Sequence, residues 1–134
     1  MIKEIDHIGI IVPNLETGIS QWSKQLGLKC EGVIEKKDIG LKVAFFRIGG
    51  LIIELLEFER PIGGVDEIVF KGFGIQHIAF RVDDIRGSIK EFTKRGLTLL
   101  RGFPREGAHG QVAFFSFGDE RDYLVEICEG SPKS

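Results

Sequence analysis

Two stretches of this chain are copies of one another, and that duplication limits the available folds more than any other feature of the sequence. Residues 5–25 read IDHIGIIVPNLETGISQWSKQ and residues 75–95 read IQHIAFRVDDIRGSIKEFTKR. At an offset of 70 residues, Ile5, His7, Ile8, Val12, Ile19 and Lys24 each meet an identical residue, and Trp22 meets Phe92. Gly27-Leu28 meets Gly96-Leu97 after a slip of one residue. Further on, Val43-Ala44-Phe45-Phe46 returns as Val112-Ala113-Phe114-Phe115, and Ile53-Glu54-Leu55-Leu56-Glu57 as Val125-Glu126-Ile127-Cys128-Glu129. The fold must be one that a short chain can make twice.

Each copy reads as a strand, a helix and three strands, so the fold class is α+β with tandem βαβββ modules. Ile5–Val12 is β-rich and is stopped by Pro13-Asn14. Asn14 is placed to cap a helix whose apolar stripe is Leu15, Ile19, Trp22 and Leu26, and Gly27 ends it. Gly49-Gly50 between Val43–Ile48 and Leu51–Phe58 signals a hairpin. The second copy repeats the plan: Ile75–Val82, a helix capped near Asp83 or Asp84 with Ile85, Ile89 and Phe92 inward, and strands at Thr98–Arg101, Val112–Phe117 and Tyr123–Cys128. The boundaries are a first module over about 3–59, a Gly-rich connector over about 60–73 and a second module over about 74–130, within a single domain over 1–134.

Composition narrows the function. The chain has 134 residues, is 43% hydrophobic and 28% charged, and carries a net charge of −2. Length and balance fit one soluble globular domain. The charge marks no nucleic-acid surface, and Lys36-Lys37 and Arg101…Arg105 read as solvated edges. No apolar run approaches membrane-spanning length, and Met1-Ile2-Lys3-Glu4 leads straight into a strand pattern with no signal peptide. Cys30 and Cys128 are too isolated for a disulfide framework or a cysteine zinc site, and read as free thiols of a reducing cytoplasm. Phe, with 11 residues against one Trp and one Tyr, points to an apolar interior or pocket.

Against that background four ionisable residues stand out. His7 and His77 lie in β-rich runs; Glu54 sits within Leu51-Ile52-Ile53-Glu54-Leu55-Leu56, and Glu126 within Leu124-Val125-Glu126-Ile127-Cys128. A strand apolar on both faces is buried on both, and an unpaired carboxylate there costs several kcal/mol, roughly. One strand histidine is ordinarily a core or surface residue, and one buried glutamate ordinarily finds an arginine, here Arg47 or Arg81, or a backbone donor. The coincidence carries the argument: each copy offers one His early and one Glu late, at matching positions. Two modules packed about a pseudo-twofold axis would bring His7, Glu54, His77 and Glu126 to one point. Two imidazoles with two carboxylates suit Zn, Ni, Co, Mn or Fe rather than Cu(I).

At these residues the sequence resembles the vicinal oxygen chelate superfamily, the glyoxalase, bleomycin-resistance and dioxygenase proteins. Ile5-Asp6-His7-Ile8-Gly9-Ile10 looks like its opening strand, Gln76-His77-Ile78-Ala79-Phe80 like the counterpart, and Ile53-Glu54-Leu55-Leu56-Glu57 like its first carboxylate strand. Pro104-Arg105-Glu106-Gly107-Ala108-His109-Gly110, followed by Val112-Ala113-Phe114, looks closest to methylmalonyl-CoA epimerases. The resemblance implies a glyoxalase-like fold, with two curled mixed sheets forming an open half-barrel around one divalent ion (Co, Ni, Zn or Mn) on His7, Glu54, His77 and Glu126. Val43 stands where some bacterial epimerases carry a second catalytic glutamate. Ser116–Tyr123 is nearer the Asp-rich turn of generic glyoxalase-like members than the epimerases' His-Pro-Lys stretch.

The implied chemistry is abstraction of the proton α to a thioester carbonyl, with the divalent ion stabilising the enolate and Glu126 or Glu54 acting as base. An acyl-CoA isomerase of the methylmalonyl-CoA epimerase kind is the leading expectation. A glyoxalase I-type lyase on a thiol adduct (hemithioacetal) is the same-site alternative, and a non-catalytic small-molecule binding protein the third. A ring-cleaving dioxygenase would want one carboxylate rather than two. His109 and Gly110 are candidate substrate contacts in a Gly-rich loop. A homodimer is expected, since open sheets leave edges to cover.

Overall fold

The structure is a computed structural model that describes residues 1–59, 72–107, 110–118 and 123–129; residues 60–71 of the connector and His109 lie outside the described residues. The chain divides into two compact units, one of His7–Gln76 and one of Met1–Asp6 with His77–Ser134. The first six residues therefore group with the second copy of the repeat rather than with their own. Ion pairs fix that assignment: Lys3 Nζ lies 3.1 Å from Asp83 Oδ2, and Glu4 Oε2 lies 2.6 Å from Arg81 Nη2.

In the His7–Gln76 unit the strand order is β2-β3-β4-β1, with β1 (Ile2–Ile11), β2 (Cys30–Lys36), β3 (Leu41–Ile48) and β4 (Leu51–Phe58). β1 runs parallel to β4, while β3 is antiparallel to both β4 and β2. A parallel pair needs a crossover, which α1 (Leu15–Ser20) supplies. Gly49, at φ +60°, makes the tight turn between β3 and β4 in a conformation that side chains disfavour.

Asn14 caps α1 as its type and position require, accepting from Thr17 N at 2.9 Å. The helix then widens. Gln21–Gln25 is a π-helical turn, closed by Leu26 N donating to Gln21 O at 3.2 Å. The wider turn rotates the residues beyond it, so Leu26, expected on the inward stripe, is 59% exposed. Leu15, Ile19 and Trp22 keep their inward positions and pack with Ala44, Phe46, Ile53 and Leu55 on one face of the sheet. Across the sheet, Ile11, Leu41, Val43 and Leu56 form a separate apolar cluster.

The other unit repeats the plan with β5 (Gly74–Val82), α2 (Ile85–Lys94), β6 (Thr98–Leu99), β8 (Gly110–Ser116) and β9 (Leu124–Cys128), in the order β5-β9-β8-β6. β5 is parallel to β9, and β8 is antiparallel to β9. The helix cap is Asp84, whose Oδ1 accepts from Gly87 N at 3.2 Å. The stretch read as a Gly-rich loop is a hairpin flank: β7 (Arg105–Gly107) pairs with β8, Gly107 opposite Gly110. Among the described residues no helix is long and apolar enough to cross a membrane.

The duplication extends to contacts between helix and sheet. Trp22 meets Phe46 at 5.7 Å between ring centroids, and the equivalent Phe92 meets Phe115 at 5.6 Å. Leu15 N at the start of α1 donates to Glu57 Oε1 (2.6 Å), and Ile85 N at the start of α2 donates to Glu129 Oε2 (3.0 Å). Each carboxylate strand thus ends in a glutamate that receives a first-turn N–H of its own copy's helix. An anion there also meets the positive end of the helix dipole.

Candidate functional site

The face opposite each helix carries the polar residues. Along a strand, alternate side chains share a face, so His7, Gly9 and Ile11 point one way; all three are buried, whereas Ile5, expected beside them, is 43% exposed. In the parallel ladder Gly9 stands opposite Glu54, and on the other side of β4 Phe45 stands opposite Glu54. The second copy has Ala79 and Phe114 in the same two places around Glu126. A small residue beside each glutamate leaves the carboxylate room to turn towards the histidine two positions earlier on the neighbouring strand. The result is one close pair per unit. His7 Nε2 lies 3.8 Å from Glu54 Oε1, and His77 Nε2 lies 3.3 Å from Glu126 Oε1, with side chains 8%/13% and 7%/8% exposed.

The surroundings are apolar in both. Ile11, Leu41, Val43 and Leu56 share the His7–Glu54 side of their sheet. His77 meets the Phe114 ring edge-on at 5.3 Å, and Phe103 backs Phe114 at 5.2 Å. Arg81, one of the arginines offered as a neutral explanation for a buried glutamate, is held by Glu4; Arg47 lies 3.7 Å from Glu31.

The donor chemistry fits a divalent ion. Two donors on one ion at about 2.1 Å are about 3.0 Å apart at right angles and about 3.4 Å apart at the tetrahedral angle. The 3.3 Å of His77–Glu126 falls in that interval, and the 3.8 Å of His7–Glu54 is within a carboxylate rotation of it. His7, His77 and Glu126 are all buried, and each is of a residue type that donates to a divalent ion. Glu54 is the more open of the two glutamates. Gly110 begins β8 at φ +125° opposite Gly107, while His109, its companion as a substrate contact, is not described.

Residues 6–115 match the Glyoxalase/Bleomycin resistance protein/Dioxygenase superfamily. The chain belongs to this superfamily. It is 34% identical to the ethylmalonyl-CoA/methylmalonyl-CoA epimerase of Cereibacter sphaeroides, over 95% of this chain and 98% of that one. Among solved structures, a hypothetical protein from Bacillus halodurans C-125 is 34% identical, with a TM-score of 0.81 over 98% of this chain and 96% of that chain. A Streptomyces coelicolor methylmalonyl-CoA epimerase, solved in complex with 2-nitronate-propionyl-CoA, shares the fold at 24% identity, with a TM-score of 0.78 over 98% and 99% of the two chains.

Small residues beside the glutamates were legible only after pairing. Gly9 and Ala79 each follow a histidine by two positions, but their meaning appears once the ladder sets them against Glu54 and Glu126. The role of Glu57 and Glu129 was likewise hidden, although both lie inside the repeat.

Proposed function

We propose that this chain is a divalent-metal-dependent isomerase of acyl-CoA thioesters, acting on a methylmalonyl-CoA-like substrate by removing and returning the proton α to the thioester carbonyl. The observation that carries this reading is the repeated buried pair, His7 with Glu54 and His77 with Glu126. The epimerase relative that matches nearly end to end supports it. In this reading His7, Glu54, His77 and Glu126 together hold one ion, of the Co, Ni, Zn or Mn kind. When bound, such an ion supplies Lewis acidity to a carbonyl oxygen and so lowers the energy of the anion left by deprotonation.

The chain's own groups do the rest. Glu126 takes the α-proton on Oε2, the oxygen not turned to His77, with Phe114 excluding water from its flank. Glu54, the second carboxylate of the repeat, delivers to the opposite face a proton taken up from solvent, and Glu126 gives the abstracted proton to solvent to complete the cycle. The apolar residues around each pair, Leu56 and Val43 in one unit and Phe114 and Leu124 in the other, keep the local dielectric low, where fixed charges act more strongly. A glyoxalase-type lyase is the second reading, favoured by Val43: it is 4% exposed and packed among apolar side chains on the Glu54 face, so this position offers no further base. The protein acts as a homodimer in this reading, with β2, whose Val33 and Ile34 are exposed, as an edge for a partner to cover.

The test is proton exchange at the α-carbon of racemic methylmalonyl-CoA in deuterated buffer, followed by NMR. The wild type is expected to exchange it and Glu126→Gln is not. A metal-loaded wild type that leaves the α-proton untouched sinks the epimerase reading and turns attention to hemithioacetal substrates.

A further inference from the structure

The basic residues near Phe103 are not equivalent. Arg101 is exposed, as a solvated edge should be, but Arg105 is half-buried and braced. Its Cζ sits 4.0 Å from the centroid of the Phe103 ring, and its Nε donates to Gly102 O at 3.4 Å. Gly102 has φ +88°, and a Cβ there would stand 2.9 Å from an Arg105 terminal nitrogen, so the guanidinium occupies space that a side chain would take. The ring under it belongs to a continuous wall. Phe103 packs on Phe114, Phe114 on His77, and His77 faces Glu126. Among the described residues no carboxylate is paired with Arg105.

We infer that Arg105 is a substrate-binding residue, a guanidinium held in place to receive an anionic oxygen of the substrate. The inference rests on the acyl-CoA reading above and deepens it. A guanidinium carries five N–H donors in a fixed plane, and only the Nε–H is used by Gly102. The other four are on the terminal nitrogens, and the edge between those two nitrogens matches carboxylate or phosphate in two parallel hydrogen bonds. Ordering a long side chain on binding costs rotamer entropy, and here the ring and the carbonyl impose that order beforehand. A methylmalonyl-CoA-like substrate carries both kinds of anion, a carboxylate on its α-carbon and phosphates on its CoA moiety.

The test compares wild type with Arg105→Met, which keeps apolar contact with Phe103, and Arg105→Lys, which keeps charge without the fork. The substrates are methylmalonyl-CoA and methylmalonyl-pantetheine, and direct binding is measured by calorimetry with adenosine 3′,5′-bisphosphate and with malonate. Arg105→Met is expected to raise KM for methylmalonyl-CoA by about ten- to hundredfold, the range of a lost charge-assisted pair, with kcat within about threefold and Arg105→Lys intermediate. If the carboxylate is the partner, the pantetheine ester suffers the same rise and bisphosphate binding is unchanged. If a phosphate is the partner, the pantetheine ester is spared and bisphosphate binding weakens. Unchanged KM together with unchanged binding of both probes overturns the inference. A wild type inert towards methylmalonyl-CoA removes the functional reading alone, and Arg105 then stands or falls on the two binding probes.

Discussion

Glu126 sits where a carboxylate is expensive, between Val125 and Ile127 on a strand whose every residue from Leu124 to Ile127 is buried. Its partner His77 offers a nitrogen at 3.3 Å, and a cation shared by the two would offset more of the desolvation than a neutral imidazole can. Replacing it by the isosteric Gln removes the charge and keeps the volume. Glu126→Gln is therefore expected to lower α-proton exchange by about a hundredfold or more, with the unfolding temperature of the chelated protein little changed. Loss of exchange accompanied by loss of the folded state would instead make Glu126 a packing residue. Ala79, wholly buried opposite Glu126, gives a second check. Ala79→Leu would overpack the space beside the carboxylate, at about 1–3 kcal/mol in denaturant unfolding, and weaken metal uptake. The four His and Glu residues were legible in the sequence because a charge inside an apolar run is anomalous wherever it occurs. Arg105 was not, because its contact with Phe103 depends on an irregular stretch with no period to read.

At the scale of elements, the two glutamates three residues beyond the site have a different task. Glu54 and Glu126 face one side of their strands, and an odd step puts Glu57 and Glu129 on the other, under the helices. There each accepts a first-turn N–H that has no partner inside its helix. Glu57→Ala and Glu129→Ala should each cost about 1 kcal/mol, as lost helix caps do, without changing metal content; equilibrium unfolding and metal analysis check the two halves of that statement. The π turn in the first helix makes a sharper point. Leu26 belongs to the apolar stripe by spacing, yet one extra residue in the turn carries it into solvent. Leu26→Lys should shift stability by less than about 0.5 kcal/mol, whereas Phe46→Ala, emptying a fully buried site against Trp22, should cost about 3–5 kcal/mol. Spacing located the helix and its cap because Asn14, Leu15 and Ile19 obey the ordinary period. It could not foresee a widened turn, beyond which Leu28 packs against the same cluster.

For the molecule as a whole, duplication has a consequence that single residues do not show. Each unit holds one His/Glu pair, and two donors alone bind a divalent ion weakly, since such ions favour four or more ligands. Two weak sites and one strong one differ in stoichiometry and in how a mutation spreads. If the pairs act together, metal analysis finds about one ion per chain, and Glu54→Gln or Glu126→Gln alone empties it. Independent pairs would take up to two ions, and each substitution would remove only its own. The same coupling predicts a thermal signature. An ion that requires both units binds only the folded chain, so at a hundredfold excess over its Kd it adds about 2.7 kcal/mol of stability. Chelation should then lower the unfolding temperature of the wild type by several degrees and leave Glu54→Gln, whose own unit alone is altered, unmoved. A Glu54→Gln protein that still loses stability on chelation would show that His77 and Glu126 hold an ion without help from the first copy of the repeat.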